Sequence, residues 1–156
     1  MSWWQHGALF GAIATFVMDV WAAAAKYLFR LPTADWAMVG RWFGHMANAK
    51  FAHCPIGAAA PVRGELAIGW AAHYVIGILY GIAYVYVAGA APRLIPALLF
   101  AWLTLAFPWL VMQPALGAGV FASHTPRPNL YRLVNFSMHT AFGIGLYAGA
   151  RVLAAA

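Results

Sequence analysis

The sequence predicts an all-α protein, an integral membrane four-helix bundle with an amphipathic or re-entrant segment between the first two spans. Three observations predict it. Hydrophobic residues make up 65% of the chain and charged residues only 8%, against roughly a quarter charged in an ordinary soluble domain. Four apolar runs each approach the roughly 20 residues that a helix needs to cross the hydrocarbon core. Polar and small residues inside those runs recur at every fourth position, which places them on one helix face.

The first span is expected at about 7–28, with Gly7, Gly11, Thr15 and Asp19 forming a small and polar ridge that ends in a carboxylate. Trp3, Trp4 and Tyr27 suit interfacial positions at its two ends. No Lys or Arg precedes the apolar run, so an uncleaved span is expected rather than a signal peptide. Residues 30–63 then change character, holding many of the basic residues and no apolar run long enough to span. Thr33 or Asp35 can cap a short helix through Ala47, with Trp36, Val39, Phe43 and Met46 on one side and Arg41, His45 and Lys50 elsewhere. This connector is expected to act as a cytoplasmic lid, lying on the membrane or over the bundle.

The second span is expected at 67–88. It follows Gly64 in the stretch GELAIGWAAHYVIGILYG, where Glu65, Gly69, His73, Gly77 and Gly81 make a second ridge that must face protein rather than lipid. A tight turn leads into a third span at 94–116, in which Pro108 should kink the helix and free a carbonyl that a neighbouring helix or Thr104 could satisfy. After a connector with two prolines, a fourth span at 130–153 carries Arg132, Asn135 and His139 near its start and a close-packing pair, Gly145 and Gly149, further on. The whole chain, 1–156, is expected to be one membrane domain.

Charge distribution sets the topology. Lys26, Arg30, Arg41, Lys50, Arg63, Arg127 and Arg132, seven of the nine basic residues, belong to the two long connectors or the adjoining span ends. The positive-inside rule puts those connectors in the cytoplasm and both termini in the periplasm. The net charge of +6 is thereby explained without nucleic acid, since scattered basic residues form no binding stripe. A single cysteine, Cys54, excludes an intrachain disulfide framework and a multi-cysteine metal site.

With this topology, Asp19, His73 and His139 fall roughly 9 to 14 Å inside the cytoplasmic ends of their spans, and Gln113 about 5 Å, at a rise of 1.5 Å per residue. Ionisable groups at such depth need one another, water or a ligand. The candidate ligand or metal pocket is therefore Asp19, Glu65, His73 and His139, with His45, His53, Gln113, Arg132 and Asn135 supporting it. Imidazole and carboxylate together suit a transition metal such as zinc, iron or manganese. Two histidines from separate helices suit haem, and a histidine with an acid suits a quinone headgroup lined by Trp70, Tyr74 and Trp109. No H-E-x-x-H is present. GAGVFA follows a membrane helix rather than a strand, and Ser123 beside His124 lacks the G-x-S-x-G context, so neither supports an enzyme assignment.

The motifs MDVW, GRWFGH, FAHCPI, GELAIGWAAHY, MQPALGAGVFASHTPRPN and FGIGLY, in this order, resemble the bacterial integral-membrane domain-of-unknown-function family 2938. The resemblance covers nearly the whole chain and implies a small four-span protein of the bacterial inner membrane, without an established activity. Relatives commonly carry an acid where this chain has Cys54. The functions expected are binding of a transition metal or a redox-active headgroup, or else a non-catalytic accessory or assembly subunit of a membrane complex, or a small proton-coupled transporter. The expected partners are the lipid bilayer and either a second copy of the chain or a larger membrane complex.

Overall fold

In the computed structural model, which describes residues 1–155, the described residues form helices and connecting loops with no strand. Helix α1 (Trp3–Phe29) begins where the Gln5 side chain accepts a hydrogen bond from the Ser2 backbone N–H at 2.7 Å. It ends at Arg30 in the left-handed region, φ 53°. Asp35 caps α2 (Trp36–Met46): one carboxylate oxygen accepts from the N–H groups of Ala37 and Met38, satisfying donors that the first turn leaves open. Helix α3 (Glu65–Ala88) follows, then α4 (Leu94–Leu103).

After α4 the chain does not simply kink. The Leu105 N–H donates to Trp102 O, three residues back, and Pro108–Met112 is wound as π-helix before the short α5 (Gln113–Ala115). Proline at position 108 has no N–H for the four-residue ladder, and π winding occurs mostly as a single turn set within α-helix, as here. A 3₁₀ turn at Val120–Ala122 precedes the last helix, α6 (Pro128–Ala154).

Among the described residues, three helical runs are long and apolar enough to cross a membrane: Trp3–Phe29, Glu65–Ala88 and Leu94–Ala115. Four are expected from the sequence. Helix α6 has the length, at 27 residues, but Asn129, Arg132, Asn135, Ser137, His139 and Thr140 crowd its first half and dilute its apolar character.

The chain divides into two compact units. Unit 1 comprises Met1–Leu31, Tyr74–Leu105 and residues 135–155. Its core is Phe10, Ala14, Tyr84, Val85, Ala97, Ala101, Phe142, Leu146 and Ala150. Small residues let the backbones touch: a methyl group on Gly11 would meet Gly77 O and Ile78 Cα, and one on Gly81 would meet Gly7 O and Gly11 N. On α6, Gly145 faces Ala14 of α1 and Gly143 faces Ala97, Leu98 and Ala101 of α4, while a methyl group on Gly149 would sit 3.3 Å from the Phe10 backbone, a closer approach than ordinary van der Waals contact. Small residues at helix contacts bring the backbones close enough for extensive van der Waals packing.

Unit 2 comprises Pro32–His73 and Ala106–Val134. Here α2 crosses the start of α3 at two glycines, Gly40 against Glu65 O and Gly69 against Trp36 O. The buried residues of α2 are Val39, Gly40, Arg41 and Trp42. Its side-chain pattern alone puts Arg41 away from the packed side, and the correction has an electrostatic cause described next.

Candidate functional site

Within unit 1 the polar groups of the long helices are bonded to protein. Asp19 on α1 accepts a hydrogen bond from the Tyr74 hydroxyl of α3 at 2.9 Å. Two residues on, the Trp21 indole N–H donates to Ser137 of α6 at 3.1 Å. His139 of α6 places Nδ1 2.8 Å from the Thr104 hydroxyl and 3.1 Å from Ala101 O, and the Trp102 indole N–H donates to Thr140 at 3.0 Å. Asn135 is half-buried one turn before His139.

Within unit 2 the Glu65 carboxylate is engaged twice by Arg41, Nη2 to Oε1 at 2.8 Å and Nε to Oε2 at 2.9 Å, and it also accepts from the Val62 N–H at 2.9 Å. Arg41 is almost fully buried and turns its remaining Nη1 to the carbonyls of Gly57 and Ala59. A guanidinium taken out of water needs this many acceptors, which is why Arg41 sits on the buried face of α2. Glu65 is thus the counter-ion of Arg41. His73 lies half-buried with its ring stacked on Trp36, centroids 4.0 Å apart, and Trp70 at its edge. Gln113 is buried on α5. Arg132 donates to Phe121 O and to the Asn129 side chain. Asp19 and His139 therefore belong to unit 1, whereas Glu65, His73, Gln113, Arg132, His45 and His53 belong to unit 2. Among the described residues, no three of His, Cys, Asp or Glu come together in a group that could hold a metal ion.

The connectors of unit 2 form a groove of about 530 Å³ lined by Ala52, His53, Cys54, Pro114, Gly117, Gly119, Val120, Ser123 and His124. Ligand sites fall in the range of roughly 300 to 1,000 Å³, with apolar walls and a few polar groups. Backbone bonds fix both walls: His53 N–H donates to Ala115 O, Ile56 N–H to Leu116 O, and His124 N–H to Ala118 O. Gly117 and Gly119 have φ of 88° and 75°, and a methyl group on Gly117 would come within 2.9 Å of His53 O. Only glycine suits both demands. Cys54, Ser123 and His124 are exposed at the rim.

His53 contributes differently. Its ring stands edge-on to His45, centroids 5.0 Å apart, and both ring nitrogens are buried without a hydrogen-bond partner. His45 itself donates from Nε2 to Ala60 O at 2.9 Å. Burial, then the positive charges of His45 and Lys50, push the His53 pKa below its ordinary value. From the sequence, Ser123 and His124 have no assigned role and Arg41 lies off the apolar side of α2. A signal for the former was present in GAGVFASHTP, where two glycines a residue apart prepare tight backbone approach.

The fold and its polar groups define a helical protein with three helices able to cross a membrane and polar connectors folded into a structure of their own. The particular family follows from comparison: a family model described as "Protein of unknown function (DUF2938)" matches residues 8–153, and the chain belongs to that family. No curated protein and no solved structure matches it.

Proposed function

We propose that this is a four-span protein of the bacterial inner membrane that binds the headgroup of a redox-active amphiphile, of quinone type, in the groove formed by residues 52–54 and 114–124. The groove carries the reading. Pro114 lies in the last turn of the membrane-length run Leu94–Ala115, so the groove adjoins a helix end, the level at which an amphiphile holds its polar head. Pro114 and Val120 offer apolar contact, and Cys54, Ser123 and His124 offer groups that exchange hydrogen bonds with carbonyl or hydroxyl oxygen. A headgroup is preferred to a metal because no metal-binding group of three side chains is present among the described residues.

Support for α6 as the fourth span comes from its surface. Leu133, Phe136, Ile144 and Val152 are exposed along it, and that stretch covers about 28 Å at the helical rise, close to the roughly 30 Å hydrocarbon core. Four crossings return both termini to the periplasm and hold the basic connectors in the cytoplasm.

Cys54, the single cysteine, makes the test direct. A membrane-impermeant maleimide should label it in inverted inner-membrane vesicles and not in intact spheroplasts, and a short-chain ubiquinone should slow that labelling several-fold. Filling the groove by Ala52→Trp should abolish the protection. Equal labelling rates with and without the quinone, together with no quinone in protein purified in native lipid, would overturn the reading. A non-catalytic accessory or assembly subunit is the second reading. It is favoured by the commitment of Glu65 to Arg41 and of Asp19 to Tyr74, which are bonds that lock packing.

A further inference from the structure

The end of α4 exposes a carbonyl whose treatment fixes a proton. Leu105 N–H donates to Trp102 O at 3.1 Å, so the ladder of four-residue bonds does not continue onto Ala101 O. Ala101 is fully buried in the apolar core of unit 1, where a carbonyl needs a donor. Two side chains reach it. The Thr104 hydroxyl donates to it at 2.6 Å, His139 Nδ1 lies 3.1 Å from it, and those two side-chain atoms are 2.8 Å from each other.

Protons can be assigned to this triangle by counting. The carbonyl has none and the hydroxyl has one, which goes to Ala101 O over the shortest of the three contacts. If Nδ1 carried no proton, its lone pair would face the lone pairs of the carbonyl and of the hydroxyl oxygen with no hydrogen between them. A proton on Nδ1 satisfies every atom: it is shared between the hydroxyl oxygen and the carbonyl. A neutral imidazole with hydrogen on Nδ1 carries its in-plane lone pair on Nε2.

We propose that Ala101 O and the Thr104 hydroxyl hold His139 in the Nδ1–H tautomer, making Nε2 a directed Lewis-basic atom within the helices of unit 1. Its partner is a hydrogen-bond donor, either an N–H or O–H of the protein or the hydroxyl of a bound amphiphile. Donation of one ring N–H to a backbone carbonyl is the same device that orients histidines acting as bases or metal ligands through the other nitrogen. Thr104 is then a positioning residue. This assignment is independent of the groove, because it depends only on atoms of α4, α6 and the turn after α4.

The test is ¹⁵N NMR of protein labelled at histidine and held in lipid nanodiscs, with the His139 signals identified by their loss in His139→Asn. At mildly alkaline pH, Nδ1 should resonate as a protonated, pyrrole-type nitrogen and Nε2 as a pyridine-type nitrogen. The reverse assignment overturns the proposal. Adding a short-chain ubiquinol distinguishes the two sources of the donor: a displaced Nε2 signal identifies a bound hydroxyl, and an unmoved one a protein donor, both within the proposal. Thr104→Val should introduce a second tautomer, and a spectrum that stays as in the wild type removes Thr104 from the positioning role. Asparagine at position 139 can place its amide N–H where Nδ1–H stands, so His139→Asn should unfold closer to the wild type than His139→Leu does. Equal losses in both would refute a role for the Nδ1 bond.

Discussion

Gly11 and Gly40 are both packed so tightly that a methyl group would overlap another backbone, yet they sit in different kinds of structure. Around Gly11 in unit 1 the partners are Gly77 and Ile78 of α3, and the adjoining core is made of alanines, aromatic rings and aliphatic side chains. Around Gly40 in unit 2 the partner is the Glu65 carbonyl, at the residue whose side chain grips Arg41. Unit 1 gains its order from shape, because small residues let helices approach and dispersion does the rest. Unit 2 has less apolar surface to bury in its short elements, and it gains order from directional bonds: Arg41 to Glu65, Gly57 and Ala59, Trp42 to Phe51 O, and His45 to Ala60 O. Shape is unforgiving of volume, and directional bonds are unforgiving of lost partners.

The largest effects should come from adding volume at the two glycines. Gly11→Val and Gly40→Val each force one backbone away from another, where overpacking exceeds the 1 to 3 kcal/mol or so typical of side-chain crowding. Both variants should fail to give a folded, monodisperse protein in mild detergent. Gly57→Ala is the control, since nothing lies within 4 Å of the added methyl group. It should unfold as the wild type does, and a loss there would show that glycine content rather than contact matters.

The comparison separates further on removing charge. Arg41→Leu strips Glu65 of its guanidinium and should raise the rate of proteolytic cleavage in residues 47–63 several-fold, while amide exchange at Ala97–Ala101 changes little. Arg41→Leu with Glu65→Leu should recover part of the loss, because removing both members of a buried pair is milder than removing one. Equal exchange losses in unit 1 would break the distinction between the two regions.

What was legible in the sequence follows the same division. Gly7, Gly11, Gly77 and Gly81 stand out by fourfold spacing, and they are where α1 and α3 touch, because helical periodicity turns spacing directly into a face. The Asp35 cap is equally local. Arg41 was not legible: its place depends on Glu65, 24 residues away, and no property of α2 alone would bury a guanidinium. The groove depends likewise on bonds from His53 to Ala115 and from Ile56 to Leu116, across some sixty residues of chain. The fourth span is the least legible of the four, because α6 has the length to cross but carries six polar residues in its first half.

A smaller effect is expected at Asp19, where shape and directional bonding meet in the same unit. Tyr74→Phe keeps the ring and its packing but removes the hydroxyl that donates to the carboxylate. Hydrogen bonds to charged groups contribute about 1.5 to 3 kcal/mol, and the thermal midpoint should fall accordingly. Tyr80→Phe, with the tyrosine packed among Phe100 and Phe142, should fall by less. If the two variants behave alike, the Asp19 bond adds nothing beyond the loss of a hydroxyl.

The smallest effect should be conditional on pH and confined to unit 2. Burial of its unpartnered ring nitrogens, then the charges of His45 and Lys50, disfavour the protonated form of His53. Its folded pKa is therefore below the unfolded value of about 6.5, and between those two values the unfolded chain binds more protons than the folded one. Stability then rises with pH through that window. The connector should be fully ordered above about 6.5 and lose stability as the pH falls below it. Limited proteolysis of residues 47–63 across that range measures the slope. His53→Gln cannot take up the proton and should flatten the slope, whereas His124→Gln at the exposed rim should leave it in place. An unchanged slope in His53→Gln would mean that another group carries the proton, and the unpartnered nitrogens would then have no measurable consequence for the connector.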